Sequence, residues 1–77
     1  MIPNKYIIGI DGGGSKTHAL LIDPASNIID EAYSGSANIK TEIQIAYHSI
    51  NSVIQNLIIK NNLDPINIQI NLGIAGY

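Results

Sequence analysis

The chain has 77 residues, 45% of them hydrophobic and 13% charged, with no cysteine and a formal net charge of −2. That length suits one small domain, which buries only about 60% of the surface its unfolded chain exposes. The lack of a basic cluster argues against nucleic acid as the main partner, and the lack of cysteine removes a disulfide framework or a thiolate zinc site. Met1 to Asn4 carry no charged n-region, and the apolar run after them stops at Asp11, so neither a signal peptide nor a membrane span is expected and the cytoplasm is the expected location.

Tyr6-Ile7-Ile8-Gly9-Ile10 is an apolar, branched run without polar alternation, which predicts a strand covered on both faces. Asp11 stands at its end, followed by Gly12-Gly13-Gly14 and then Ser15-Lys16-Thr17. Three consecutive glycines strip the turn of side chains, so its N–H groups can approach a ligand with no Cβ in the way. Bare amides in a tight bend form a concavity that favours anions, phosphate above all. A carboxylate at the position of Asp11 suits a hydrated magnesium ion that bridges phosphates. The pattern is not a Walker loop, because Ser15 stands where that loop needs lysine. Nor is it a dinucleotide fingerprint, which would need glycine at Thr17.

Thr17-His18-Ala19-Leu20-Leu21-Ile22-Asp23 is again branched and apolar and is stopped by Asp23-Pro24. The glycine segment is therefore expected as the turn of an antiparallel hairpin rather than the entry to a helix. A ligand-free hairpin needs only one or two glycines. Asp23 to Asn27 has turn chemistry, and Asn27 to Ser34 predicts a third strand at the sheet margin, with Asp30 and Glu31 as solvated charges on opposite faces. Gly35-Ser36-Ala37-Asn38 is a polar loop that reads from its residues as a plain connection, with Asn38 favoured for its turn chemistry.

Thr41 to Gln44 has the form of a capping box. Ile43, Ala46, Tyr47, Ile50, Val53, Ile54, Leu57 and Ile58 then recur at helical spacing, which predicts one amphipathic helix with Tyr47 in its buried stripe. Asn61-Asn62 and Asp64-Pro65 end it. His48, on the polar side, and His18, in the second strand, have no visible partner. Ile66 to Ala75 alternates apolar and polar residues and predicts a fourth strand, parallel to the first, because a long helix connects it to the third. Ligands gather beyond the carboxyl ends of such strands, which would place Asp11 and Ala75-Gly76 on one crevice.

Ile8 to Thr17 resembles the first phosphate motif of the N-acetylglucosamine kinase and BadF/BadG/BcrA/BcrD ATPase family, within the superfamily of sugar kinases, actin and the large heat-shock chaperones. Gly35-Ser36-Ala37-Asn38 is similar to that family's Gly-x-x-Asn segment, and Gly73-Ile74-Ala75-Gly76 to its Gly-Leu/Ile-Ala-Gly ending, in the same order along the chain. The resemblance implies an α/β, ribonuclease-H-like (actin-like ATPase) half-domain with sheet order third, second, first, fourth. Residues 1–77 would form the first part of an N-terminal ATPase domain. It implies ATP and Mg2+ as cofactors: Asp11 would act through the metal, Gly12, Gly13, Gly14, Ser15, Lys16 and Thr17 would hold the β- and γ-phosphates, and Asn38 and Gly76 would face a small-molecule sugar, most simply N-acetylglucosamine. No catalytic residue is expected within these residues, since Asp11 is committed to the metal and Asp23, Asp30 and Asp64 fall in turns or at an edge. The 77 residues alone are therefore expected not to turn over. A homodimer, if formed, would use regions outside them. The alternative that the resemblance leaves open is an ATPase module that activates a partner enzyme.

Overall fold

The structure, a computed structural model, describes residues 5–37 and 43–74. Its elements in chain order are β1 (Tyr6–Gly12), β2 (Thr17–Ile22), β3 (Ile28–Ser34), α1 (Ile43–Lys60), a short 3-10 turn (Pro65–Asn67) and β4 (Ile68–Ile74). The four strands form one sheet in the order β3-β2-β1-β4. β1 pairs antiparallel with β2 and parallel with β4, and β2 pairs antiparallel with β3. This is the mixed α/β half-domain expected from the sequence, with the same strand order.

Period-2 alternation gives the sheet two unlike faces. One face carries Ile8, Ile10, Ala19, Leu21 and Ala32, which bury against Val53 and Leu57 of α1. The other carries Gly9, Asp11, His18, Leu20, Glu31 and Tyr33, as the strand registers require. α1 packs over β3 and β2 and only lightly over β1. Ile70 and Leu72 share the α1 side of the sheet through their pairing with Ile8 and Ile10, yet they lie outside the helix's footprint and remain 42% and 53% exposed.

The buried stripe of α1 is Ala46, Ser49, Val53 and Leu57, flanked by partly buried Ile50, Ile54 and Ile58. Tyr47, expected in that stripe, is 72% exposed, and Ile43 is 68% exposed. At 3.6 residues per turn, Tyr47 is rotated about 100° from Ala46, which carries its ring past the edge of the contact. Ser49 takes a core position instead, and its main-chain carbonyl accepts the Ser34 hydroxyl at 2.6 Å. The proposed N-cap, Thr41, lies outside the described residues.

The helix stops where its asparagines predict. Asn62 adopts a left-handed φ of 52°, its N–H donates to the Ile59 carbonyl, and the Leu63 N–H donates to the Ile58 carbonyl. Together these form a Schellman closure with asparagine in the position glycine usually takes. The fourth strand begins two residues later than its alternation suggests. The Asp64 carboxylate accepts the Ile66 N–H at 3.1 Å with Pro65 at the start of the turn, so Ile66 and Asn67 are spent on a capped 3-10 turn. No helix among the described residues is long and apolar enough to cross a membrane.

Candidate functional site

β1 and β2 meet in a tight antiparallel hairpin whose last strand pair is Gly12 with Thr17. Beyond it the Gly13 N–H donates to the Lys16 carbonyl at 2.9 Å, which leaves Gly14 and Ser15 at the tip. Both are exposed, and no acceptor among the described residues takes their N–H groups. A Cβ built on Gly14 would meet nothing within 4 Å, and its φ is not left-handed. Neither backbone strain nor internal crowding therefore requires glycine there; a bare Gly14 matters only to something that approaches from outside.

Asp11, expected at the strand's last position, sits one residue before the end of β1 on the face away from α1. It is exposed, and no hydrogen-bond donor among the described residues is paired with its carboxylate. It borders an open cavity of about 420 Å³ together with Gly9, His18, Leu20, Asn71 and Gly73. Gly73 is its direct neighbour on the parallel strand β4, so the cavity reaches the carboxyl ends of both parallel strands, where such sheets collect ligands. Among the described residues no three His, Asp or Glu side chains converge as a metal cage. A single free carboxylate such as Asp11 could hold a hydrated magnesium ion only together with ligands from outside these residues.

Thr17 behaves differently from its neighbours. Its side chain is fully buried on the α1 side, and the hydroxyl donates to the Gly35 carbonyl at 2.7 Å. The hydroxyl is thus directed to the α1 side of the sheet, because strand alternation turns Thr17 inward when Lys16 turns outward. Gly12 lies inside the ladder, paired with Thr17 and Ile74. Lys16 is exposed, with its ammonium 5.7 Å from the centre of the Tyr33 ring. Asn38 and Gly76 lie outside the described residues. The chain leading to Asn38 nevertheless runs beside the bend, since the Ala37 N–H donates to the Gly13 carbonyl at 2.9 Å.

Sequence reasoning missed the cluster next to Asp11. His18 Nε2 lies 2.9 Å from Glu31 Oε1, and its ring stacks on Tyr33 with centroids 4.3 Å apart and planes within 3° of parallel. The Tyr33 hydroxyl donates to the same Glu31 oxygen at 2.9 Å. That bond, and then the one to His18, lowers the Glu31 pKa, while Glu31 raises that of Tyr33. The signal was the cross-strand register, which pairs His18 with Tyr33 and which turn chemistry alone does not fix. Asp30, expected as a solvated charge, faces α1: it accepts from the Asn61 side chain at 2.9 Å and pairs with Lys60 at 3.1 Å. The Asn61 bond first, then the Glu31 N–H and Lys60, hold its carboxyl below the ordinary aspartate range.

The model of the BadF/BadG/BcrA/BcrD ATPase family matches residues 8–77. Over 61 residues the chain is 34% identical to a glucosamine kinase from Vibrio cholerae serotype O1, a match covering 79% of this chain and 21% of that protein. Over 56 residues it is 38% identical to an N-acetylmuramic acid/N-acetylglucosamine kinase from Clostridium acetobutylicum, covering 73% of this chain and 17% of that protein. The chain thus spans less than a quarter of the length of these relatives. With the family model matching residues 8–77, more than half of the sequence, the chain belongs to the BadF/BadG/BcrA/BcrD ATPase family.

Proposed function

We propose that these residues supply the phosphate-binding corner of an ATP-dependent sugar kinase, acting on N-acetylglucosamine or a related amino sugar. The observation that carries the proposal is that two unpaired amides at the Gly14–Ser15 tip and the free carboxylate of Asp11 lie at the same end of the sheet. The likeness to two amino-sugar kinases supports the substrate class.

In this assignment the Gly14 and Ser15 amides and the Ser15 hydroxyl hold phosphate oxygens, and the ammonium of Lys16 swings from Tyr33 to the same anion. Gly12 and Gly13 keep side chains out of the approach. Asp11 would hold a magnesium ion through its hydration shell. Bound there, the ion neutralises charge on the phosphates. In the reaction the bond from the γ-phosphorus to the β,γ-bridging oxygen breaks as the sugar hydroxyl oxygen bonds to phosphorus. ADP leaves, and the hydroxyl proton passes to a carboxylate outside these residues, because none described here is free for that role. Asn38 and Gly76 are assigned to the sugar on the family pattern. The adenosine site and the rest of the nucleotide-binding domain are assigned to chain outside these 77 residues, which by themselves do not turn over.

The test is ADP release by the full-length protein carrying this sequence, with magnesium and ATP, in the presence and absence of N-acetylglucosamine or glucosamine. Sugar-dependent ADP release with a matching sugar phosphate in the mass spectrum is expected, and Asp11→Ala should abolish it while leaving the melting temperature unchanged. ATP hydrolysis indifferent to every sugar would overturn the kinase in favour of an ATPase that drives a partner enzyme.

A further inference from the structure

The glycine bend is held from behind by a closed ring of hydrogen bonds. The Thr17 hydroxyl donates to the Gly35 carbonyl at 2.7 Å, and two residues on, the Ala37 N–H donates to the Gly13 carbonyl at 2.9 Å. The Gly13 N–H returns to the Lys16 carbonyl, the residue before Thr17. Thr17 and Ala37 are both fully buried, so the ring is anchored on the inner side of the sheet. The consequence for the tip follows from peptide geometry. In a planar trans peptide the C=O and the next N–H point in opposite directions. A Gly13 carbonyl fixed on Ala37 therefore fixes the Gly14 N–H on the opposite side of that peptide, where no acceptor among the described residues takes it.

We propose that Thr17 is a positioning residue: through Gly35 and Ala37 it locks the Gly13–Gly14 peptide so that the Gly14 amide faces the incoming phosphate. The proposal rests on the phosphate-corner assignment above and deepens it by giving the last residue of the motif a role behind the site. Without the Thr17 bond the Gly35–Ala37 segment loses its anchor on β2, the Gly13–Gly14 peptide is free to rotate, and the amide must be ordered by the ligand at the ligand's expense.

The experiment compares Thr17→Val, Thr17→Ser and Ser34→Ala in the full-length protein. Ser34→Ala removes a second hydroxyl-to-carbonyl bond, from Ser34 to Ser49, that does not belong to the ring. Binding of the magnesium complex of a non-hydrolysable ATP analogue and of adenosine is measured by calorimetry. The Gly13 and Gly14 amides are followed by NMR on ligand-free, ¹⁵N-glycine-labelled protein. For Thr17→Val, affinity for the triphosphate should fall by about tenfold or more, the scale of one charge-assisted hydrogen bond. Adenosine affinity should hold, and the Gly14 amide resonance should move or broaden before any ligand is added. Thr17→Ser should restore both. Ser34→Ala should lower the melting temperature without changing triphosphate affinity.

A loss of triphosphate affinity in Thr17→Val with the ligand-free Gly14 resonance unchanged would overturn the proposal, making Thr17 a direct ligand. An equal loss in Ser34→Ala would overturn it too, making the effect one of general stability. A wild-type protein that binds adenosine and the triphosphate analogue equally would instead refute the phosphate corner itself.

Discussion

Gly14→Ala separates the two demands on the hairpin tip. The side chain it adds meets nothing within 4 Å, and the residue's φ is one that alanine adopts. Folding should therefore gain rather than lose, by about 0.4–1 kcal/mol, because alanine restricts the unfolded chain more than glycine does. Binding should move the other way. A phosphate oxygen bonded to the Gly14 N–H sits about 2.9 Å from that nitrogen, and a methyl group one bond from the neighbouring Cα crowds its approach. Loss of one charge-assisted hydrogen bond costs about 1.5–3 kcal/mol, or roughly ten- to hundredfold in Kd. The assay is thermal melting alongside calorimetric titration with the magnesium complex of a non-hydrolysable ATP analogue, both on the full-length protein. A variant that melts at or above the wild-type temperature and binds the analogue at least tenfold more weakly is expected. Undiminished affinity would refute the claim that this bend receives phosphate, and a sharply lowered melting temperature would refute the claim that the space beside Gly14 is open.

Two further perturbations test the frame that carries the tip. Leu57→Ala opens a cavity beneath the fully buried centre of the α1 contact and should destabilise by about 2–5 kcal/mol, seen as a lower urea midpoint; a shift under about 0.5 kcal/mol would mean that α1 does not pack there. Asp30→Asn tests the link between β3 and the end of α1. Because the bonds from Asn61, the Glu31 N–H and Lys60 depress the Asp30 pKa in the folded chain, its contribution is complete above the ordinary aspartate range and is lost as falling pH passes through the depressed value. The variant should thus be less stable than wild type near neutral pH, and the two should converge in acid; parallel profiles would show that the contact is silent.

The elements were legible because their signals are local. The hairpin followed from two branched runs around three glycines, and the end of α1 followed from Asn61-Asn62 before Asp64-Pro65. The pairwise facts were not. Whether Asp30 is solvated or bonded to α1 depends on where Lys60 and Asn61 arrive after 18 residues of helix, and His18 finds Glu31 and Tyr33 only through the register of β2 on β3. Tyr47 shows the same limit on a helix: spacing identifies a stripe, but the width of the contact decides which flank is buried. For Thr17, the family resemblance implied a hydroxyl among the phosphate-holding residues, while strand parity turns its side chain inward onto the Gly35 carbonyl. That parity was readable in advance, given the strand boundaries; its partner, the Gly35 carbonyl, was not.

The outer strand β4 has one further consequence. Its residues Ile68-Gln69-Ile70-Asn71-Leu72-Gly73-Ile74 carry no charge, unlike β3 at the opposite margin with Asp30 and Glu31. Charged side chains are a common means by which proteins keep a free strand from recruiting a neighbour. Expressed as these 77 residues alone, the polypeptide should therefore stick to itself through β4 rather than β3, and a single lysine at Ile70 should suppress that oligomerisation.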